Sequence, residues 1–527
     1  MEASKSFVPL HRNQVIITMV CVMFAMFLAA LDQTIVSTAT PQIIADLGGF
    51  DRYTLISTGY LLASTVSAPI VGSLSDTYGR KRFFLGAIII FVIGSTLCGL
   101  SSGINQLVLF RVLQGVGGGV IMAITFISIA DLFPPSDRGK YMGLVAACYG
   151  LSSVIGPTLG GYITDSFSWH WIFFVNIPLS IPVLLLLYRY FPQKSIASDE
   201  INNANGPADW KGMALLIVGI TFIVVGLSMV ESQSTKFLFV GGGITFAGIV
   251  LMCVFVQVER DANNPILPLS IFRIRMVSVS LLLTLLTGFA MFGAIIFVPL
   301  YFQGVLGLSA TNSGTFLTPM MLGVVVGAGI SGQILSRTGG QFRLQFILGV
   351  TIMSIGTFLF VMLDETSSYV MSIAFIVLLG FGLGSTFPTL TVSVQNFTPP
   401  TLIGAATSLT QFARSVGGLL GLSVLGMVLT HRFSTRFEDK ISGTNLPMGE
   451  GVIENIKNDP KVLVDSESQN IITELASGLS FEQVEELLNL LKKVLNGAIG
   501  DVFIVTLVVL ILSLGISVAL NQKGFVR

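Results

Sequence analysis

Fourteen predominantly apolar stretches run through this chain, beginning near residues 15, 53, 84, 105, 141, 171, 211, 237, 277, 312, 345, 369, 402 and 498. Each is roughly 18 to 25 residues long, the length an α-helix needs to cross a bilayer's hydrocarbon layer. Hydrocarbon offers the backbone no hydrogen-bond partner, so such stretches have to be helical. With 52% hydrophobic and 11% charged residues, the chain lacks the balance of a soluble domain of 527 residues. An even number of spans puts both termini on one side, and the basic residues say which side. Seventeen of the 28 Lys and Arg lie in the termini and the even-numbered connections, whereas the short odd-numbered connections hold only Arg52 and Lys236. Both termini are therefore expected in the cytoplasm, in a multi-pass protein of the cytoplasmic membrane. Lys5 and Arg12 ahead of an apolar run mimic a secretory signal. That run is long and carries an acid, however, so it is expected to be retained as the first helix.

A weak internal repeat divides the chain. GSLSDTYG at 72 to 79 reappears as GQILSRTG at 332 to 339, and the first spans of the two sets are offset by a similar distance. The simplest arrangement is an all-α protein with a six-helix bundle over 1–190 and a linker with two inserted helices over 191–276. A second six-helix bundle over 277–527 completes it. Two such halves around a cavity at mid-membrane depth are the pattern of a transporter.

Asp32 is the residue that most asks for an explanation, because a carboxylate inside the first span costs several kcal/mol unless it is paired, protonated or faces a wet cavity. Arg111 and Arg414 are the only basic residues placed well inside spans. One or both are expected to pair with Asp32, as a proton switch or as a static ion pair. Phe292, Phe297 and Tyr301, with Met291 and Phe302, form an aromatic stripe that either lines an apolar cavity or packs between helices.

Five stretches carry a resemblance. GSLSDTYGRKRF (72 to 83) is a tight basic turn whose spacing of Gly72, Asp76, Gly79 and Arg80 closely resembles the signature loop of the major facilitator superfamily. LVLFRVLQGVGGG (107 to 119) resembles a second motif of that superfamily, and GLSSVIGPTLGG (150 to 161) resembles the motif that marks its drug/proton antiporters. LDQTIVSTATP around Asp32, together with WHWIFFVNIP (169 to 178), resembles the fourteen-span drug:H+ antiporter-2 family. The resemblance implies a major facilitator fold. It also implies export of amphiphilic or cationic compounds in exchange for protons; the charges inside spans, Asp32, Arg111 and Arg414, are the expected coupling set, and with no nucleotide-binding motif the drive is expected to be an ion gradient without a cofactor. Asp131 stands where that superfamily has an acid facing the first basic residue of the loop, so Asp76, Arg80 and Asp131 are expected to form a latch. In the fifth span Gly150, Gly156, Gly160 and Gly161 supply a small-residue stripe and Pro157 a bend. The resemblance implies that this bend seals the cytoplasmic side.

The second copy of the loop has Ser336 and Gly340 in place of Asp76 and Arg80, so a latch is expected in one half only. No second acid lies deep in a span, which points away from dications and towards a monovalent, neutral or lipid-like substrate. The hydrophilic segment 431–497 is expected on the outer side. Within it 480 to 495 is amphipathic, with Phe481, Val484, Leu488, Leu491 and Leu495 on one face and Glu482, Glu485, Glu486 and Lys493 largely on the other. Three readings are open: it caps the outer mouth, lies on the lipid surface, or docks a partner. NIITELAS (470 to 477) is read as a shorter helix before it. Cys21, Cys98, Cys148 and Cys253 have neither disulfide nor metal spacing, and there is no P-loop or dinucleotide fingerprint, so an enzyme is not expected. The expected partners are a small amphiphile or lipid and the bilayer, with no nucleic acid and with a monomeric chain. An exporter of envelope lipid and a non-transporting sensor or scaffold remain as alternatives.

Overall fold

The structure is a computed structural model. It describes residues 11–47, 53–192, 209–230, 235–262, 264–308, 310–338, 340–364, 367–442 and 481–518, with isolated positions at 453, 456–457, 460 and 462–464. Among the described residues fourteen helical segments are long and apolar enough to cross a membrane. The first bundle comprises α1 (Arg12–Leu47), α2 (Tyr53–Tyr78), α3 (Arg80–Gly99), α4 (Ile104–Leu132) and α5 (Arg138–Ser166). Its sixth span is broken into α6 (Trp171–Phe174) and α7 (Asn176–Tyr190). The inserted pair is α8 (Trp210–Val230) and α9 (Thr235–Asp261). The second bundle is α10 (Arg275–Leu300), α11 (Ala310–Arg337), α12 (Phe342–Val361), α13 (Tyr369–Phe397), α14 (Ile403–Ile441) and α15 (Phe481–Ser517).

The span helices are apolar all round because each must satisfy two apolar surroundings. On α3, Phe84, Ala87, Ile88 and Phe91 are buried in the first bundle, while Ile89, Ile90 and Ile93 are exposed and face the lipid. One core of the first bundle joins Val22 and Ala25 of α1 with Phe84 and Phe91 of α3, Ile121 and Ile124 of α4, and Leu187 of α7. The second bundle has its own core around Phe297, Phe302, Met353, Phe360 and Phe503. The inserted pair packs at the seam where α2 meets α14. There Leu216 and Ile220 of α8 and Phe255 of α9 share a core with Val66 of α2 and Ala405, Ala406 and Leu409 of α14.

The two bundles close on each other at the cytoplasmic end. Met19, Phe126, Met142 and Val145 from the first meet Leu335, Phe342 and Val392 from the second. Backbones come into contact there as well. A Cβ on Gly139 of α5 would lie 2.7 Å from the Gly332 carbonyl oxygen, and one on Gly143 would lie 2.9 Å from that of Ala328. Only glycine permits this approach of α5 to α11.

The outer segment differs from its sequence reading. The amphipathic stretch is not a separate helix: it is the first part of α15 and runs unbroken into the last span. Leu491 and Leu495 are buried as their face predicts, and Glu482, Glu485, Glu486 and Lys493 are exposed. The buried stripe is rotated slightly, to Leu487, Leu490, Leu491, Val494 and Leu495, because it packs on Phe433 and Phe437 of an equally overlong α14 and on Phe302 and Val305. The Asn496 side chain donates to the Leu363 carbonyl at 3.2 Å, and Arg436 holds Asp501 at 2.9 Å. The apolar face is thus consumed by the second bundle, which corrects the lipid-surface reading. The stretch 470 to 477 and the side chain of Phe481 lie outside the described residues.

Candidate functional site: a buried ion pair and a cytoplasmic latch

Asp32 is fully buried on α1 and is held by side chains from two other helices. Its Oδ2 accepts from Arg111 Nη1 of α4 at 2.5 Å, and its Oδ1 accepts from Gln114 Nε2 at 2.8 Å and from Asn176 Nδ2 of α7 at 2.9 Å. The helical spacing of Arg111 and Gln114 puts both on the face of α4 that looks at α1. The break at Val175 makes Asn176 the first residue of α7 and aims it inward. A second layer fixes these groups: Arg111 Nη1 also donates to Gln114 Oε1 at 2.7 Å, and Asn176 Nδ2 donates to Ser95 Oγ at 3.0 Å. The Arg111 guanidinium lies 4.3 Å from the centre of the Tyr60 ring of α2. A buried ion pair compensates its desolvation only when its remaining donors and acceptors are satisfied, and this one meets that condition.

Arg414 behaves differently from the expectation that it pairs with Asp32. Its Nη1 donates to Gln411 Oε1 of its own helix at 2.6 Å, and its plane lies 3.7 Å from the centre of the Phe387 ring. It lines a cavity of about 100 Å³ between the bundles, together with Gln33, Tyr60, Tyr149, Met291 and Phe292. Of the aromatic stripe, Phe292 therefore does line a cavity. Phe297 and Tyr301 do not, because their side chains are buried in the core of the second bundle, where the Tyr301 hydroxyl donates to the Asp364 carbonyl at 3.0 Å. Three to four residues carry the chain around a full helical turn, so one stripe serves two surroundings.

The latch residues do come together. Arg80 Nη2 donates to Asp76 at 2.8 Å, and Nη1 to Asp131. Gly79, at φ +95°, makes the tight turn that brings Arg80 back beside Asp76, and Gly340 adopts the same φ in the second loop. There, the buried Ser336 hydroxyl has no partner. Asp76 also reaches the other bundle, where its Oδ2 accepts from the Ala405 amide at 3.1 Å. A carboxylate at a helix N-terminus satisfies an otherwise unpaired N–H and complements the helix dipole. Gly72 packs against Gly404 and Ser408 with no room for a side chain.

In the fifth span Gly156 and Gly160 pack α5 against Thr34, Thr38 and Ile35 of α1, and Thr34 Oγ1 donates to the Ser152 carbonyl at 3.0 Å. Those contacts hold the turn of α1 that follows Asp32. Gly150 faces Val325 of the second bundle, Pro157 lies inside α5, and Gly161 has nothing near it, so it is no part of the packing stripe.

Several residues were not singled out from sequence. Gln114 and Asn176 stood inside quoted motifs as uncharged polar residues in apolar runs, which was the available signal. Arg138 belongs to the seventeen basic residues that the sequence places on the cytoplasmic side. It is buried and donates to the Ala130 carbonyl at 2.9 Å and, across the bundles, to Asn396 Oδ1 at 2.9 Å. Gln395 donates in the opposite direction, to the Phe126 carbonyl at 3.1 Å. Among the described residues no group of three or more His, Cys, Asp or Glu is placed to hold a metal ion, and all four cysteines are free thiols.

Comparison with known proteins agrees with this arrangement. A family profile described as Major Facilitator Superfamily matches residues 22–422. Multidrug resistance protein 3 of Bacillus subtilis is 35% identical over 493 residues, 93% of this chain and 92% of that protein. Multidrug transporter protein MdtP of the same organism is 37% identical over 419 residues, 79% of this chain and 76% of that protein. Among solved structures, a bacterial homologue of the human lysosomal transporter Spinster has a TM-score of 0.59 at 14% identity, covering 97% of this chain and 98% of that one. The proton:xylose symporter XylE has a TM-score of 0.57 at 14% identity, covering 90% and 99%. Two bundles, a signature loop whose charges meet in space and a profile spanning both halves give one assignment: the chain belongs to the Major Facilitator Superfamily.

Proposed function

We propose that this protein exports small amphiphilic compounds from the cytoplasm in exchange for protons, with Asp32 as the protonation site. The observation that carries the reading is the four-group cluster of Asp32, Arg111, Gln114 and Asn176, buried inside a membrane bundle. A structural ion pair is a poor choice for a lipid-embedded core, because apolar residues would fill the space at less cost. A carboxylate that gains and loses a proton gives the cluster a use. Ionised, Asp32 is an acceptor for all three donors; protonated, it has a donor of its own and Arg111 loses its counter-charge. Tyr60 borders the cavity and also lies against Arg111. A change at the pair is therefore transmitted to the wall of the substrate cavity through one side chain. The names of the two Bacillus relatives support drug-like amphiphiles as the cargo. The cytoplasmic closure, held by Asp76, Arg138 and Gln395, supplies one of the two end states that alternating access needs.

The test uses everted membrane vesicles and a set of amphiphilic dyes of differing charge, comparing wild type with Asp32→Asn. Wild type is expected to accumulate a dye when a pH gradient is imposed. Asp32→Asn is expected to equilibrate the same dye by exchange without accumulating it. Uphill accumulation by Asp32→Asn would rule out Asp32 as the coupling site, and a folded wild type that moves none of the dyes would rule out amphiphile export.

A further inference from the structure

The cavity between the bundles has an electrostatic character that the overall fold does not dictate. Among the described residues Arg414 is the only charged side chain lining it. Asp32, the acid that the sequence offered as its counter-ion, is fully buried elsewhere, with its two oxygens already accepting from Arg111, Gln114 and Asn176. A guanidinium has five N–H donors. Arg414 uses one of them, towards Gln411, and rests its face on Phe387. Its other titratable neighbour is Tyr149, which is neutral in its protonated form and lines the same cavity. The remaining N–H groups thus border the cavity without an acceptor among the described residues.

An uncompensated cation at this depth is costly, and charged groups kept inside membrane bundles mark substrate pathways. The planar fork of N–H donors matches the two oxygens of a carboxylate or phosphate. The rest of the described lining is uncharged and largely apolar or aromatic, with Phe292 and Phe387 from the second bundle and Tyr60 from the first, beside the polar Gln33, Ser64, Gln411 and Ser415. The stacking on Phe387 occupies the face of the guanidinium and leaves its edge free, and the edge is where a bidentate anion binds. At about 100 Å³ the cavity is contracted relative to the roughly 300 Å³ of the smallest drug sites. Loading therefore accompanies the separation of the bundles.

We propose that Arg414 is the residue that recognises the head group of the substrate, and that the amphiphile carried bears an acidic group, a carboxylate or its equivalent, in preference to a quaternary ammonium. This inference rests on the cavity being the substrate site of the exporter described above. It also narrows the expectation from the sequence, where amphiphilic or cationic compounds were implied and a monovalent, neutral or lipid-like one was favoured over a dication. A cation entering this cavity meets a like charge and finds no acid among the lining residues; an acidic amphiphile completes the hydrogen bonding of Arg414.

A matched pair of probes tests it: rhodamine 6G, an ethyl ester with a net positive charge, and its free acid, which has a carboxylate in place of the ester on the same cationic dye and is net neutral. Binding to the purified full-length protein in detergent is read by fluorescence anisotropy. The acid is expected to bind wild type about tenfold more tightly than the ester, and Arg414→Lys to keep part of that preference. Arg414→Gln is expected to bring the ratio close to one. Equal or tighter binding of the ester to wild type overturns the inference, as does a preference unchanged in Arg414→Gln, or no binding of either dye. The wild-type ratio decides even where the glutamine variant does not fold. Vesicle transport is scored separately: a protein that prefers the acid but accumulates neither dye under a pH gradient contradicts proton-coupled export and leaves the charge preference standing.

Discussion

Asp76, at the cytoplasmic end of α2, accepts a hydrogen bond at 3.1 Å from the amide of Ala405, 329 residues further along the chain and in the other bundle. The same carboxylate is held by Arg80, which also reaches Asp131. One side chain therefore ties the signature loop of the first bundle to the N-terminus of α14. Charge-assisted hydrogen bonds of this kind contribute about 1.5–3 kcal/mol each. Asp76→Ala is expected to shift the balance of closed to open cytoplasmic ends at least tenfold towards open. Spin labels on cysteines introduced at the exposed positions Lys140 and Arg337, in a background without the native cysteines, read the change as a longer distance between α5 and α11. An unchanged distance distribution would reduce the latch to a local ion pair.

Two glycines of that loop are expected to respond in different ways. Gly72 packs on Gly404 and Ser408 and has no space for a methyl group, so Gly72→Ala is expected to prevent closure and abolish transport. Gly79 has nothing within 4 Å of its missing Cβ, but its φ of +95° is unfavourable for any other residue. Gly79→Ala is expected to lower stability by about 1–3 kcal/mol while leaving the closed state reachable. Transport rates and melting temperatures of the two variants separate a steric block from backbone strain.

Removing one partner of the buried pair is expected to cost more than removing both. Arg111→Met leaves the Asp32 carboxylate among Gln114 and Asn176 without its counter-charge, at a cost of about 3–5 kcal/mol. Asp32→Asn combined with Arg111→Gln removes both charges and keeps polar partners, so it is expected to melt closer to wild type than Arg111→Met alone. Both lose accumulation of substrate. Thermal unfolding of the purified variants gives the order, and the reverse order would contradict the pairing.

The outer end of α15 is expected to matter to the second bundle and not to the lipid surface. Leu491 is fully buried against that bundle, and Leu491→Ala is expected to cost about 2–5 kcal/mol. Glu486→Ala, on the exposed face of the same helix, should stay within about 0.5 kcal/mol. A helix that lay on lipid would show little difference between the two when both are melted in detergent.

How much of this was legible in the sequence varies by residue. The spans were readable because hydrocarbon imposes length and apolarity on every one of them. Asp32 was readable because a charge in an apolar run is costly wherever the run packs. Its choice of Arg111 over Arg414 was not, since both arginines sit at similar depth and only the three-dimensional arrangement of α1, α4 and α14 decides between them. Gln114 and Asn176 carry no charge, so their presence in apolar runs raised less alarm than their role warrants. Phe297 and Tyr301 share a helical stretch with Phe292, and helical spacing alone does not tell which face meets the cavity. The sequence starts the last span near residue 498, just after Lys492, Lys493 and Gly497. The helix continues through them because its apolar stripe is buried on α14, and Gly497 lies close beneath Arg436.

The overlong hairpin has a practical meaning for imaging. α14 has 39 residues, about 58 Å at 1.5 Å per residue, and α15 has 37. A hydrocarbon layer of about 30 Å cannot cover either helix. The excess stands on the outer face as a stiff mast, its two helices tied to each other by Arg436 and Asp501 and to the second bundle by Asn496 on the Leu363 carbonyl. An antibody fragment raised against that mast would move with the second bundle and give electron cryomicroscopy a fiducial for tracking how the first swings against it.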